Sequence, residues 1–282
     1  MRAENLIQPG GFEKFFTQLQ TTILHQPLQE VGRWQSQDRP EAAFTREILD
    51  LSFIYQVPES VQELQDDLMP NLPWAEDHFM ERVSGEPLNP PPSEAWWPFA
   101  RAGNSEHKKD AQFSHTYPER IWPKRAGRIS WDEHPAQGIR YPYGDLRDVV
   151  KLICHDPGTR QAYLPIWFPE DTGLGISQRV PCSIGYQFLI RQGELHVFYT
   201  MRSCDLMRHF VDDIYMAARL GEWMSNVLNQ CDVEQTLGRL HVHIASLHTF
   251  KADDIKLKEV AHLYQTTLLN QKRHEILGVH NG

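Results

Sequence analysis

The sequence predicts an α+β fold, with a mixed or antiparallel sheet covered by helices. Three observations predict it. Apolar residues recur at three- and four-residue spacing in the segments 11–24, 44–55, 146–153 and 217–228, which is the period of a helix. They recur at every second residue in 184–190, 195–201 and 240–244, which is the period of a half-buried strand. The chain has 282 residues, 40% of them hydrophobic, enough for one sizeable core.

In order along the chain, 11–24 and 44–55 are expected as helices joined through a short polar connection. The stretch 84–98 (SGEPLNPPPSEAWWP) carries prolines and a glycine that forbid regular structure, and the polar run 101–112 continues it as loop. It is read as a Pro-rich insertion around 84–125 within a single domain spanning 1–282. Leu146, Val149, Val150 and Ile153 make one helix face that Pro157-Gly158 must end, and 162–168 reads as a strand. Ile184, Tyr186, Phe188 and Ile190 alternate up to a Gln192-Gly193 turn, and Leu195, Val197, Tyr199 and Met201 alternate after it, which predicts a strand pair. Ala217, Leu220, Met224, Val227 and Leu228 form a helical stripe, and Leu240, Val242 and Ile244 return to strand period.

Composition removes several function classes. A net charge of −9 argues against a surface that coats nucleic acid, yet leaves room for a local cationic pocket that holds a small anion. No stretch approaches the roughly 18–20 apolar residues of a membrane span, and the first residues lack the apolar core of a secretory signal, so the expected compartment is the cytoplasm. Cys154, Cys182, Cys204 and Cys231 lie far apart with no C-x-x-C pair, which argues for reduced thiols rather than a zinc ribbon or disulfide scaffold. His241 and His243 alternate with Val242 and Ile244 and point away from the apolar face; without a third ligand at sensible spacing, no metal is expected.

The chemistry concentrates between 159 and 250. Cys182 follows Pro181 just before the first strand of the predicted pair, either as a nucleophile or as a small buried hydrophobe. Arg160 follows the helix stop and Arg202 ends the second strand. Two guanidinium forks in one pocket would hold a nucleotide monophosphate, and a guanidinium beside a thiol favours its thiolate; two surface salt bridges remain the alternative. Asp212 and Asp213 open the next helix, where they either cap it or read a ligand.

The run 182–205 (CSIGYQFLIRQGELHVFYTMRSCD) resembles the core of the thymidylate synthase superfamily, in which a proline-cysteine precedes a strand and an arginine-serine-x-aspartate motif follows twenty residues later. Asp156-Pro157-Gly158-Thr159-Arg160 resembles the superfamily's aspartate-proline-x-serine-arginine segment, and Ser246-Leu247-His248-Thr249-Phe250 its histidine-x-tyrosine motif. The resemblance covers 145–250. Within the superfamily the chain is most similar to the phage-type deoxycytidylate (dCMP) hydroxymethylases, through the Leu189-Ile190-Arg191 end of the first strand, Met201-Arg202-Ser203 and Ser246-Leu247-His248.

The resemblance implies a thymidylate synthase-like fold whose sheet face lies at a homodimer interface, and an enzyme of a bacterial or phage-infected cell. It implies that Cys182 adds to C6 of a pyrimidine nucleoside monophosphate, with 5,10-methylenetetrahydrofolate as one-carbon donor and no metal. Arg202 and Ser203 would contact the phosphate, Arg160 the phosphate of the neighbouring subunit, His248 the sugar 3′-hydroxyl and Asp205 the folate pterin. Gln161 stands where a second arginine is usual, Phe250 where the sugar-binding tyrosine is, and the N-terminal phosphate arginine is Arg33 or Arg39. Glu47 resembles the glutamate on the superfamily's first long helix that organises water around the base. Tyr117 is preferred to Tyr143 as the tyrosine beside the thiol, and Trp131-Asp132-Glu133 resembles a superfamily motif out of its usual order.

Eleven residues after Arg202, where thymidylate synthases carry asparagine, this chain has Asp213. A carboxyl accepts from the exocyclic amine of cytosine and shares a proton with N3, whereas an amide donates to O4 of uracil. The expected activity is therefore hydroxymethylation of dCMP. C5 methylation of dCMP or dUMP and hydroxymethylation of CMP are the alternatives within the superfamily. A cysteine acyl hydrolase is disfavoured, because no motif pairs a histidine with the thiol.

Overall fold

The computed structural model describes residues 6–31, 44–98, 108–109, 111–124, 144–174 and 179–276. Its strands are β1 (Leu6–Ile7), β2 (Gln29–Glu30), β3 (Phe44–Gln56), β4 (Lys108–Lys109), β5 (Gln112–Phe113), β6 (Tyr163–Pro165), β7 (Ser183–Arg191), β8 (Glu194–Met201), β9 (Cys204–Asp205) and β10 (Thr236–Phe250). Its α-helices are α1 (Phe12–Leu24), α2 (Val61–Leu68), α3 (Trp74–Val83), α4 (Tyr117–Ile121), α5 (Leu146–His155), α6 (Asp171–Leu174), α7 (Phe210–Gln230) and α8 (Asp254–Ile276). One mixed sheet runs in the order β1-β3-β10-β8-β7-β6, with β2 added to β3 and β9 to β10, while β4 and β5 pair separately. β10 is parallel to β8 and antiparallel to β3, and β7 is antiparallel to both its neighbours. The expected α+β class with a helix-covered sheet is therefore observed.

The segment 44–55 is not the expected helix but the long strand β3, paired with β10 from Phe250↔Thr45 to Arg239↔Gln56. The physical reason lies in Phe53, Ile54 and Tyr55, which are consecutive and all buried. A strand covered on both faces has no alternation to reveal it, and a short apolar run fits helical spacing equally well. The other elements read from periodicity fall where expected, although β6 is shorter than 162–168. β4 and the start of β5 lie in the run 101–112 expected as loop, and Pro92–Trp96 forms a 3-10 turn in the stretch expected to lack regular structure, because proline is tolerated in the first turn of a helix.

The hairpin between β7 and β8 turns at Gln192 (φ 55°) and Gly193 (φ 79°), the pair of left-handed residues that matches the right-handed twist of the flanking strands. At the other end of β7 the register shifts between Ser183 and Gly185. This bulge lets Ser183 and Tyr186, three residues apart, both reach Tyr199: Ser183 by a 2.6 Å hydrogen bond and Tyr186 by ring stacking at 4.5 Å. Gly185 is required there, because a Cβ would lie 2.4 Å from the Tyr163 hydroxyl and 2.7 Å from the Leu164 carbonyl.

Helix α7 covers the inner face of the sheet, packing on β8 and β10 over buried Val197, Tyr199, Leu240 and Val242. Phe210, at its start, stacks on Phe12 and Phe16 of α1 with ring centroids 6.0 and 5.9 Å apart. Two polar clamps then fix α3 against α7. Arg219 grips Glu76 through two hydrogen bonds of 2.7 and 3.0 Å, and Asp212 accepts from both the backbone and the side-chain amide of Asn71 in the α2–α3 connection. Asp212 is thus not the capping residue the sequence suggested; the N-cap of α7 is His209 and its side chain makes no cap bond. The opposite, outer face of the sheet carries His196, Phe198, His241 and His243, all half-buried. His241 stacks on Phe198 at 4.3 Å and lies 3.3 Å from a ring nitrogen of His196.

Candidate active site

Cys182 sits at the mouth of β7, and Arg202 fixes the approach to it. The Arg202 backbone N–H donates to the Cys182 carbonyl at 2.9 Å, extending the β7–β8 ladder by one step. Its guanidinium donates to the carbonyls of Pro181 (2.8 Å) and Val180 (3.1 Å) and to Ser203 Oγ (3.0 Å), and one of its nitrogens lies 4.0 Å from the Cys182 sulfur. Ser203 Oγ lies 3.7 Å from the same sulfur. The two residues expected at the phosphate therefore converge on the thiol, while Arg202 shapes the loop that presents it. If Arg202 holds a substrate phosphate, as the resemblance implies, replacing it with Ala removes a charged hydrogen bond worth about 1.5–3 kcal/mol and is expected to raise the substrate KM by roughly ten- to a hundredfold. Release of Val180 and Pro181 lowers kcat as well, and steady-state kinetics in which KM does not move would remove Arg202 from the phosphate site.

Tyr117 comes to the same place from α4. That short helix is fixed by a reciprocal capping box between Thr116 and Glu119 and by the buried Arg120–Asp171 fork, with both bonds 2.8 Å long. Its phenol lies 3.1 Å from Ser183 Oγ, so Tyr117, Ser183 and Tyr199 form a chain of three hydroxyls beside Cys182. Burial, with the nearby Asp213 and Cys182, pushes the Tyr117 phenol above its ordinary range, so it is neutral and protonated at rest. The guanidinium of Arg82 lies over its ring, 4.1 Å from the centroid. Tyr143 lies outside the described residues, as do Arg33, Arg39 and Trp131-Asp132-Glu133.

Asp213 lies on the first turn of α7, 8% exposed, with the Cys204 thiol 3.8 Å from one carboxyl oxygen. Burial lifts its carboxyl to about 7, against the pull of the Arg82 guanidinium and with the push of Asp212. Such a carboxyl is shared between its acid and carboxylate forms at neutral pH, the range in which a general acid works best. Cys204 is buried and is the direct neighbour of Asp213.

His248, on β10, is half-buried. Burial lowers the pKa of its imidazole and Asp205 opposes the shift, which leaves a neutral ring near Asp205, Glu47 and Arg202. Glu47 faces His248 across the β3–β10 ladder and accepts a hydrogen bond from Ser246 Oγ. Its expected helical setting is thus overturned: it stands on β3, because 44–55 pairs into the sheet. Asp205 accepts from the backbone N–H groups of Met207 and Arg208 and pairs with the Arg208 guanidinium at 3.0 Å. Arg160 is exposed, and among the described residues its guanidinium joins none of the contacts around Cys182.

A cleft open to solvent adjoins this cluster. Trp74, Trp97, Phe113, Tyr117, His78 and Arg179 are among its walls. Cys182 is not, but Tyr117 connects the cleft to Ser183, the residue after the cysteine, and Arg179 precedes the cysteine by three residues. Trp74 stacks on His78, and the His78 Nδ1 lies 3.1 Å from Glu81 and 3.0 Å from Ser93 Oγ. Burial drives the His78 pKa down to about 4, so the ring is neutral. Ser93 is fully buried, which means that part of the Pro-rich stretch builds the cleft wall.

Sequence reasoning missed Ser183, Arg82, His78 and Glu81. Ser183 was in plain view beside Cys182, but only the bulge turns it toward Tyr117. The other three sit on α3, where Trp74, His78 and Arg82 recur every fourth residue, a stripe of one helix face that was legible as a spacing.

Residues 111–277 match the sequence model of thymidylate synthase, more than half of the chain, and the match contains Tyr117, Cys182, Arg202, Asp213 and His248. The chain belongs to the thymidylate synthase family. Members of that family transfer a one-carbon unit from methylenetetrahydrofolate to a pyrimidine nucleoside monophosphate.

Proposed function

We propose that this chain hydroxymethylates C5 of dCMP through a covalent bond between Cys182 and C6 of the base. The observation that carries the choice of base is Asp213, a buried carboxyl raised to about 7 at the position that decides between amine and carbonyl. In its acid form it donates to N3 of cytosine while its second oxygen accepts from the exocyclic amine. Partial proton transfer to N3 draws electrons from C6, and the Cys182 thiolate forms its S–C6 bond there. The electron pair displaced from the C5–C6 bond makes C5 a carbon nucleophile, which an unactivated pyrimidine is not. Methylenetetrahydrofolate supplies carbon at the methylene level when bound, and the aromatic walls of the cleft fit a flat ring system of that kind. Tyr117, neutral and bonded to Ser183, stands where the C5 proton must leave. C5 would bond to the donor's methylene carbon as that carbon's two bonds to the folate nitrogens break and tetrahydrofolate leaves. With the C5 proton lost, water adds its oxygen to the resulting exocyclic carbon and gives up a proton, and the S–C6 bond breaks to restore the ring and free the thiolate.

Arg202 and Ser203 bind the phosphate in this reading, His248 the sugar, and Glu47 supports His248 from the facing strand. Arg160 reaches the phosphate of a second copy, and the half-buried outer sheet face with Phe198 and His241 forms the homodimer contact; a monomer in sedimentation equilibrium at micromolar concentration rejects that part. Asp205 holds the pterin only by sharing itself with Arg208. Release of tritium from C5 tests the assignment of the base and of substitution at C5. The wild type is expected to release tritium from labelled dCMP faster than from labelled dUMP, in a manner stimulated by methylenetetrahydrofolate. A preference for dUMP would contradict the reading.

A further inference from the structure

Among the described residues Arg82 and Arg120 are the buried arginines, and Arg46, Arg208 and Arg219 are half-buried ones that pair with carboxylates. Arg120 grips Asp171 through two 2.8 Å bonds, Arg208 joins Asp205 to Asp253, and Arg219 grips Glu76. Arg82 is different. It is 5% exposed, its Nε has no hydrogen-bond partner, and among the described residues no carboxylate lies within ion-pair distance of it. Its backbone is held, since its carbonyl accepts from Trp122 Nε1 at 2.9 Å and its helix is clamped to α7 by Glu76 and Arg219. A guanidinium fixed in the interior without a counter-charge is costly, and its retention calls for a reason.

The reason lies in what it faces. Its Cζ lies 4.1 Å from the centre of the Tyr117 ring, whose hydroxyl touches Ser183 beside the cysteine. Its field reaches groups on four elements: His78 on its own helix, Tyr117 on α4, Tyr186 on β7, and Asp212 and Asp213 on α7. Of these, His78 is neutral, Asp212 is engaged by Asn71, and the two tyrosines are protonated, so the free charge of Arg82 acts on Asp213 and on whatever negative charge enters the site.

We propose that Arg82 is the resident cation of the active site, a positioning residue left unpaired so that it balances the negative charge that the Cys182 thiolate carries onto the bound pyrimidine. When the S–C6 bond forms, one negative charge spreads over the ring opposite Asp213. Arg82 needs no reorganisation to meet it, because its helix and Tyr117 already hold it in place. This inference rests on the covalent Cys182 adduct but not on the identity of the base.

The test is therefore run on whichever of dCMP and dUMP the wild type turns over. Arg82→Gln keeps the side chain polar and removes the charge. It is expected to lower kcat by about a hundredfold, the size of loss seen when one preorganised partner of a developing charge is deleted, while KM changes by less than about threefold. The pH–rate midpoint is also expected to move to higher pH, because Asp213 loses the cation that favours its ionised form. Arg82→Lys, which keeps the charge, is expected to recover about tenfold of the lost kcat and hold the wild-type midpoint. A fall in kcat with an unmoved midpoint would mark Arg82 as structural and overturn the proposal, as would kcat within about threefold of wild type. If Arg82→Gln does not fold, Arg82→Lys decides alone, and a midpoint displaced by more than about one pH unit with the charge retained overturns it. Turnover by Cys182→Ser would instead remove the adduct itself, which separates failure of the underlying reading from failure of this one.

Discussion

Cys182→Ser is expected to abolish turnover and to leave nucleotide binding almost untouched. The contacts proposed for the phosphate and sugar belong to Arg202, Ser203 and His248, and base recognition belongs to Asp213, so none of them passes through the sulfur. A serine hydroxyl is a far weaker nucleophile than a thiolate, and no histidine among the described residues pairs with position 182 to activate it. Loss of an essential nucleophile costs about a thousandfold or more in kcat. Titration calorimetry should return a nucleotide Kd within about threefold of wild type, because binding loses only a van der Waals contact. A variant that keeps more than a few per cent of turnover would end the role of Cys182 as nucleophile.

Asp213→Asn is the second large effect, and it changes which base is preferred rather than the rate alone. The amide donates toward O4 and accepts from N3–H of uracil, so the preference should move from dCMP toward dUMP. One well-placed hydrogen-bond exchange is worth about 1–3 kcal/mol, and the ratio of kcat/KM values should shift by roughly ten- to a hundredfold. The pH dependence supplies an independent reading. With its carboxyl at about 7, Asp213 is the acid below that pH and a carboxylate above it, so wild-type activity on dCMP should fall as pH rises through about 7. Asn does not titrate, and its profile should lose that limb. A substitution that slows both nucleotides equally, with the limb unchanged, would reduce Asp213 to a structural residue at the head of α7.

The parts of the fold that alternate or repeat cleanly were legible. Val197 and Tyr199 alternate with residues of the outer face because only one side of β8 is covered by α7, and the amphipathic stripe 146–153 ends at Pro157-Gly158 as backbone sterics require. β3 was not legible, because Phe53, Ile54 and Tyr55 are buried on both faces and periodicity carries no information there. The misreading spread to Glu47, whose role had been attached to a helix. At the site, the resemblance pointed to Cys182, Arg202, Ser203, Asp213 and His248, which lie at the ends of β7 and β8, on the first turn of α7 and on β10. It did not find Arg82 or His78. They lie about a hundred residues upstream and reach the site only because Glu76–Arg219 and Asn71–Asp212 lash α3 to α7, pairings that no local pattern announces. Ser183 shows a third cause: a one-residue bulge changes which side chains share a face, and nothing in the alternation of 184–190 marks it.

The measurement that bears most directly on the account is the mass spectrum of the nucleotide formed from dCMP, methylenetetrahydrofolate and this protein. The account predicts a product heavier than dCMP by one hydroxymethyl group in place of hydrogen, with its oxygen drawn from solvent and labelled when the reaction is run in heavy-oxygen water. A product heavier by one methylene unit, with dihydrofolate released, or product formed only when dUMP replaces dCMP, would contradict it.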